Sequence, residues 1–116
     1  LFTGQGEMVG QVNGLTVVFD STTSRLVTLP LAASCKGARI RGSWKQLTAA
    51  STGHGFKPQA VDGIGLGVHP SLTAVVDKEL YSASGTDTVN DRIELTSDGV
   101  NTWLITDYVG TFTKQP

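Results

Sequence analysis

The sequence predicts an all-β domain, a compact antiparallel sandwich or small barrel of the jelly-roll or knob kind. Three observations carry that prediction. Short runs rich in Val, Ile, Thr, Phe and Trp recur along the chain, about eight or nine of them, with turn signals about every ten residues. The stretch from Arg92 to Tyr108, RIELTSDGVNTWLITDY, alternates apolar and polar residues at a period of two and is broken by Asp98-Gly99. That period belongs to a strand with one buried face, and Asp-Gly suits a reversal because both residues tolerate a left-handed backbone. Only one stretch invites a helix. Leu72, Val75, Val76 and Leu80 match helical spacing after Pro70 and the N-cap candidate Ser71, but Leu72, Ala74 and Val76 match strand spacing equally well.

Leu1 to Gly10 is glycine-rich and aperiodic. It is expected to be a lead-in outside the core, with residues 11–116 forming a single β domain. Leu15 to Phe19 is β-branched and aromatic and reads as a strand. The polar cluster Asp20 to Ser24 turns it, since such short side chains bond nearby backbone. Arg25 to Leu29 is a second strand, stopped by Pro30, which cannot donate to a ladder. Leu31 to Ser34 fits one helical turn. Ala38 to Trp44 is a third strand, in which Ile40 alternates with Arg39 and Arg41, so the basic pair points away from the core.

Leu47 to Gly55 is small and polar and reads as a loop, and Phe56 to Ala60 as a short strand. In Asp62 to Val68, glycines 63, 65 and 67 fall on one strand face and Ile64, Leu66 and Val68 on the other. A face of glycine alone lets another backbone approach closely. This is not a dinucleotide fingerprint, because the spacing is wrong and no βαβ unit surrounds it. Ser71 to Leu80 is assigned to a strand like its neighbours, continuing through Tyr81, and Ser84 to Asp87 turns it. In the closing hairpin Trp103, Ile105 and Tyr108 are expected on one face, Leu104 and Thr106 on the other. Val109 to Phe112 is a last short strand before a polar tail.

Composition narrows the function classes. Of 116 residues only 16% are charged, against a usual share of about 25%. Either the loops are polar but neutral or other subunits cover part of the surface. The net charge of −1 gives no electrostatic footprint for nucleic acid. No apolar run approaches the roughly 18 residues that would insert in a membrane as a helix. A chain opening on Leu1 rather than Met is expected to be a piece of a longer or trimmed product. The single cysteine, Cys35, excludes an intrachain disulfide and reads as a small apolar filler.

Catalytic and metal constellations are sparse. His54 and His69 have no Cys or His at ligand spacing, so each reads as a turn or surface residue. Three copies could still share one histidine each around a symmetry axis. Asp87, Asn90 and Asp91 lack the pattern of a calcium loop. Glu94 and Asp98 are not placed for acid–base work, and Ser97 is expected to bond turn backbone. A glycan hydrolase needs two carboxylates facing one cleft, and the acidic residues fall mostly beside turns. No metal, cofactor or enzymatic activity is therefore expected. Trp44, Tyr81, Trp103 and Tyr108 are the rings on which a sugar could stack. Trp103 reads as core, whereas Trp44 lies among Arg41 and Lys45, a ring beside cations that suits an acidic glycan.

Two segments carry a resemblance. LVTLPLAASCKGARIRG, Leu26 to Gly42, has a strand ending in TLP, a run of small residues, then a glycine opening a basic-apolar strand. IELTSDGVNTWLI, Ile93 to Ile105, follows in the same order, with Asp62-Gly63-Ile64 between them. Together they resemble the compact β domains of tail fibres, tailspikes and head fibres of tailed bacteriophages, with a TLP-small-small-x-x-G strand and a closing SDG-x-x-W hairpin. The resemblance spans about Leu26 to Phe112. It departs from the pattern at the extra Val100 and over Ser51 to Pro58, which bears on loop geometry.

The resemblance implies a homotrimeric virion domain near the distal end of a fibre, assembled in the host cytoplasm. It would bind a bacterial cell-surface glycan or protein and reach other virion proteins through a segment N-terminal to Leu1. The receptor candidates are Arg41, on the third strand, and Trp44, Lys45, His54, Phe56 and His69, on loops Trp44 to Pro58 and His69 to Ser71. Gly63, Gly65 and Gly67 are the candidates for trimer contact. A structural trimerisation cap or capsid decoration without receptor, and a lectin-like module, are the competing classes.

Overall fold

A computed structural model describes residues 6–7, 14–46, 53–69, 72–82 and 88–115. These form ten strands: β1 Gly6–Glu7, β2 Leu15–Phe19, β3 Leu26–Thr28, β4 Arg39–Trp44, β5 Gly55–Lys57, β6 Gly63–Gly65, β7 Leu80–Tyr81, β8 Arg92–Ser97, β9 Thr102–Val109 and β10 Thr113–Lys114. A single 3-10 turn, Ala32–Ser34, occupies the helical turn expected after Pro30, and the described residues contain no α-helix. The fold is all-β.

The strands make two five-stranded sheets, ordered β1-β3-β5-β7-β10 and β2-β4-β8-β9-β6. From β1 to β8 the chain changes sheet at every step. Among strands two apart in sequence, β1, β3 and β5 pair in parallel, as do β2 and β4, whereas β5 and β7 pair antiparallel. Parallel neighbours need a crossover, and here the opposite sheet supplies it. Only the β8–β9 hairpin breaks this winding. The sheets are thus mixed, which corrects the purely antiparallel expectation.

One core joins them. β2, β4, β8 and β9 send in Val17, Phe19, Ile40, Trp44, Ile93, Leu95, Trp103 and Ile105, and the other sheet sends Val27, Phe56 and Leu80. Phe19 is the centre of an aromatic group, 4.7 Å from Trp44 and 5.6 Å from Phe56 between ring centroids. Offset and edge-on contacts of this kind add to the area they bury. Gly42 is what admits Phe56: a Cβ there would stand 2.8 Å from the Phe56 ring.

The segments that carried the sequence argument meet at one node. Asp62 Oδ2 accepts the Ala32 N–H at 2.9 Å, Ser97 Oγ donates to the Ala32 carbonyl at 2.7 Å, and Trp103 Nε1 donates to the Pro30 carbonyl at 3.2 Å. The turn after Pro30 thus satisfies its buried backbone groups with side chains from β9, the end of β8 and the β6 approach. The β8–β9 reversal spans residues 98–101, wider than a two-residue turn. Asp98 Oδ1 accepts the N–H groups of Val100, Asn101 and Thr102 at 2.7–3.0 Å. Burial raises the Asp98 pKa, but those three bonds outweigh it and hold the carboxyl below its ordinary value.

Five assignments change. The lead-in contributes β1 at a sheet edge. β5 starts one residue before Phe56 and stops at Lys57, ahead of Pro58. β6 ends at Gly65, because Leu66 adopts φ 59° and Gly67 φ 66°. Leu66 and Val68 therefore leave the face of the buried Ile64 and are exposed. Residues 72–79 form neither helix nor strand; only Leu80–Tyr81 pairs. Finally, Val109 closes β9, and the last strand is Thr113–Lys114.

A bulge accounts for the hairpin faces. Glu94 opposes Asp107 but Leu95 opposes Ile105, so Thr106 is an extra residue on β9. Strict alternation from Trp103 and Ile105 would turn Asp107 inward. The extra residue reverses the parity, so Tyr108 packs against the core beside Ile93 and Asp107 faces out.

The two sheets are also tied at their edges. Lys114 on β10 donates through Nζ to the Ile64 carbonyl on β6 and, at 3.3 Å, to the Lys78 carbonyl. Burial pushes its pKa from 10.5 down to about 8. Between those values the unfolded chain holds a proton that the folded chain has released. The group's contribution to stability therefore rises from pH about 8 to 10.5, and the full cost of the buried ammonium is felt below that window. Urea midpoints compared with Lys114→Met are expected to move in favour of the native chain as pH rises through that window.

Candidate functional site

The outer face of the β2-β4-β8-β9 sheet carries the site. In-register pairing places Thr16 opposite Arg41, Arg41 opposite Glu94, and Glu94 opposite Asp107. The next rung runs Val18, Ser43, Arg92, Val109. Side chains of alternate residues share a face, so these two rungs present a polar surface directly behind the apolar one. A cavity of about 440 Å³ opens on it, walled by Thr16, Arg41, Ser43, Arg92, Glu94 and Asp107, with Gly42 and Ile93 beneath. Bulge and register together create it. Without the extra Thr106, Asp107 would not stand beside Glu94.

Electrostatically the site is half satisfied. Arg41 Nε donates to Glu94 Oε2 at 2.8 Å, and Thr106 Oγ1 donates to Glu94 Oε1 at 2.9 Å. The Arg41 guanidinium first, then the Thr106 hydroxyl, hold the Glu94 carboxyl below its ordinary value. Arg92 and Asp107 are exposed and make no side-chain hydrogen bond or ion pair to the described residues. Two charged groups of opposite sign therefore remain available to a ligand.

Most acidic residues are expected beside turns, but two carboxylates, Glu94 and Asp107, do line one cavity. Hydrolysis needs one carboxyl protonated and its partner ionised with an oxygen free to attack or to take a proton. Glu94 is instead kept ionised by Arg41 and has both oxygens engaged. The arrangement suits polar recognition: a forked cation, a free carboxylate, and the Ser43 and Thr16 hydroxyls on a rigid sheet.

Of the receptor candidates, Arg41 lies in this cavity. Lys45 is exposed and pairs with Asp20 at 3.5 Å, outside the cavity wall. Trp44, His54 and Phe56 are buried at 0–1% exposure, so their placement on a receptor surface is corrected. Trp44 shares the inward parity of Ile40 on β4. His54 stacks on Phe19 at 5.0 Å, accepts the Arg25 N–H at Nδ1 and reaches the Ser21 carbonyl through Nε2. His69 is half-buried, 4.6 Å from the Tyr108 ring, and its Nδ1 accepts the Leu72 N–H.

The glycine row meets the chain's own backbone. A Cβ on Gly63 would stand 3.2 Å from Ala74 and Val75, and one on Gly65 would stand 2.7 Å from Thr73. A Cβ on Gly67 would collide with the Ile105 carbonyl. The close approach is intramolecular, which corrects their assignment to trimer contact. Residues 47–52, 70 and 71 of the candidate receptor loops, and Asp87, lie outside the described residues. Asp91 is buried, its carboxylate accepting from the Thr88 N–H at 2.9 Å and from the Thr88 hydroxyl.

Sequence reasoning missed Thr16, Ser43, Arg92, Glu94 and Asp107 as a group. Period two marked Arg41 as outward and set polar residues beside Ile93 and Leu95, but only the β4–β8 pairing brings Arg41, Ser43, Arg92 and Glu94 together. No protein-family model, curated protein or solved structure matches this chain.

Proposed function

We propose that this chain is a cell-surface binding domain, the tip of a bacteriophage fibre, acting as a homotrimer whose subunits are two-sheet sandwiches. Each copy attaches to a bacterial surface receptor, a glycan in this reading, through the outer face of β2, β4, β8 and β9. The remaining virion proteins join it through sequence N-terminal to Leu1. The observation that carries the binding role is the polar cavity, with charged groups that the described residues leave unsatisfied. The bacteriophage context rests on the TLP strand and the SDG hairpin.

Trimerisation draws support from a second surface. Val61, Leu66, Val68, Val75 and Val76 are large apolar residues exposed within a short span around β6. Exposed apolar residues gathered in this way are characteristic of contact surfaces. Three copies on one fibre turn a weak site into firm attachment through effective concentration.

The test is adsorption. Labelled chain is expected to adhere to susceptible bacteria and compete with virions. Thr16→Trp, which fills the cavity from an outward position on β2, is expected to abolish both. Failure of the native chain to adhere or compete, or unchanged adhesion by the filled variant, rejects the reading. Sedimentation is expected to give three times the chain mass, and a monomer at micromolar concentration rejects the trimer. The apolar surface by β6 also favours a structural cap, in which case the filled variant would assemble and infect normally.

A further inference from the structure

We infer that the cavity on the outer sheet face takes a carboxylate-bearing saccharide, gripped by Arg92 and Arg41, and that neutral sugars bind poorly. This rests on that face being the binding face. The chain carries four arginines and a net charge of −1, yet Arg39, Arg41 and Arg92 all project from this one surface. Arginine presents a planar fork of donors that matches a carboxylate with two parallel bonds. Arg41 and Arg92 are diagonal neighbours across the β4–β8 ladder, within mutual reach of long side chains. Arg41 uses its Nε on Glu94, and its two terminal amino groups have no acceptor among the described residues. Glu94 is a positioning residue: it orients the Arg41 fork.

Three features select the ligand class. About 440 Å³ lies within the range of small-ligand sites, roughly 300–1,000 Å³, so a short saccharide fits. Among the described residues no aromatic side chain lines the cavity, so ring stacking by them cannot retain a neutral sugar there. Glu94 and Asp107 share the wall with the arginines, which disfavours doubly charged phosphates and dense polyanions. Asp107, Ser43 and Thr16 then meet hydroxyl groups around a single carboxylate.

The experiment titrates the chain with a hexuronic-acid oligosaccharide, its carboxyl-reduced counterpart and glycerol phosphate, following amide shifts by NMR. The uronic oligosaccharide is expected to bind and to perturb β4 and β8. Carboxyl reduction, and separately Arg92→Gln, are expected to weaken it about ten- to hundredfold. Lys57→Gln, on the other sheet, is expected to leave binding unchanged, and circular dichroism checks each variant for folding. Equal binding of the reduced sugar, tighter binding of glycerol phosphate, or insensitivity to Arg92→Gln overturns the proposal. A neutral sugar that perturbs β4 and β8 and is blocked by Thr16→Trp would overturn the carboxylate assignment while leaving the binding face standing. Adhesion unaffected by Thr16→Trp, with no saccharide bound, removes both.

Discussion

Trp103→Ala is expected to destabilise the domain by about 3–5 kcal/mol, the range for truncating a large buried aromatic. Trp103 has 0% exposure and lies on β9 between two partners, Ser97 of β8 and Ile64 of β6. Its indole fills the core and its Nε1–H satisfies the Pro30 carbonyl. Truncation leaves a cavity and removes that carbonyl's donor together. A single domain is stable by only about 5–15 kcal/mol, so this loss could take most of the margin. Trp103→Phe separates the contributions: it keeps most of the apolar volume and loses the hydrogen bond, for about 1–2 kcal/mol. Urea midpoints check both. A loss below about 1 kcal/mol for the alanine variant would contradict the placement of Trp103 at the node that holds the turn after Pro30.

Gly67→Ala is expected to cost about 2–4 kcal/mol, although Gly67 is exposed. Its φ of 66° is left-handed, which costs an L-residue roughly 1–2 kcal/mol. Its Cβ would also overlap the Ile105 carbonyl, the acceptor of the Val68 N–H at 2.8 Å. Either β9 or the turn must shift, and that hydrogen bond is put at risk. Gly14→Ala is the control. Gly14 has φ 79° but nothing within 4 Å of a built Cβ, so only the backbone cost applies. The difference between the two variants in chemical denaturation measures the close approach. Equal losses would mean the turn after β6 does not lie against β9.

Local periodicity and local misdirection are both visible in β4. Ile40 and Trp44 are four residues apart and so share a face on any strand, which marks Trp44 as buried. The neighbouring Arg41 and Lys45 suggest exposure instead, but adjacent strand residues point to opposite faces, so their charge says nothing about Trp44. His54 and Phe56 show the converse problem. Gly53 and Gly55 make the stretch look like a loop, yet Gly55 lies on β5, where a Cβ would collide with the Leu80 carbonyl, and the rings of His54 and Phe56 pack on Phe19. Of the binding face, Arg41 was legible. Its companions were not, because Thr16, Arg92 and Asp107 come from strands distant in sequence.

The order of apolar and polar residues was enough to determine the all-β class, the outward arginines of β4, the turn after Pro30 and the Asp98 reversal. Each depends on contacts within a few residues, where side-chain chemistry and backbone preference act directly. Tertiary structure alone decided that the chain alternates between two sheets, that β4 lies between β2 and β8, and that one extra residue on β9 turns Asp107 outward. Strand pairing joins backbone groups that are nearly alike in every residue. The choice of neighbour is therefore made by how both sheets fill a common core, and the cavity on the outer face follows from that choice.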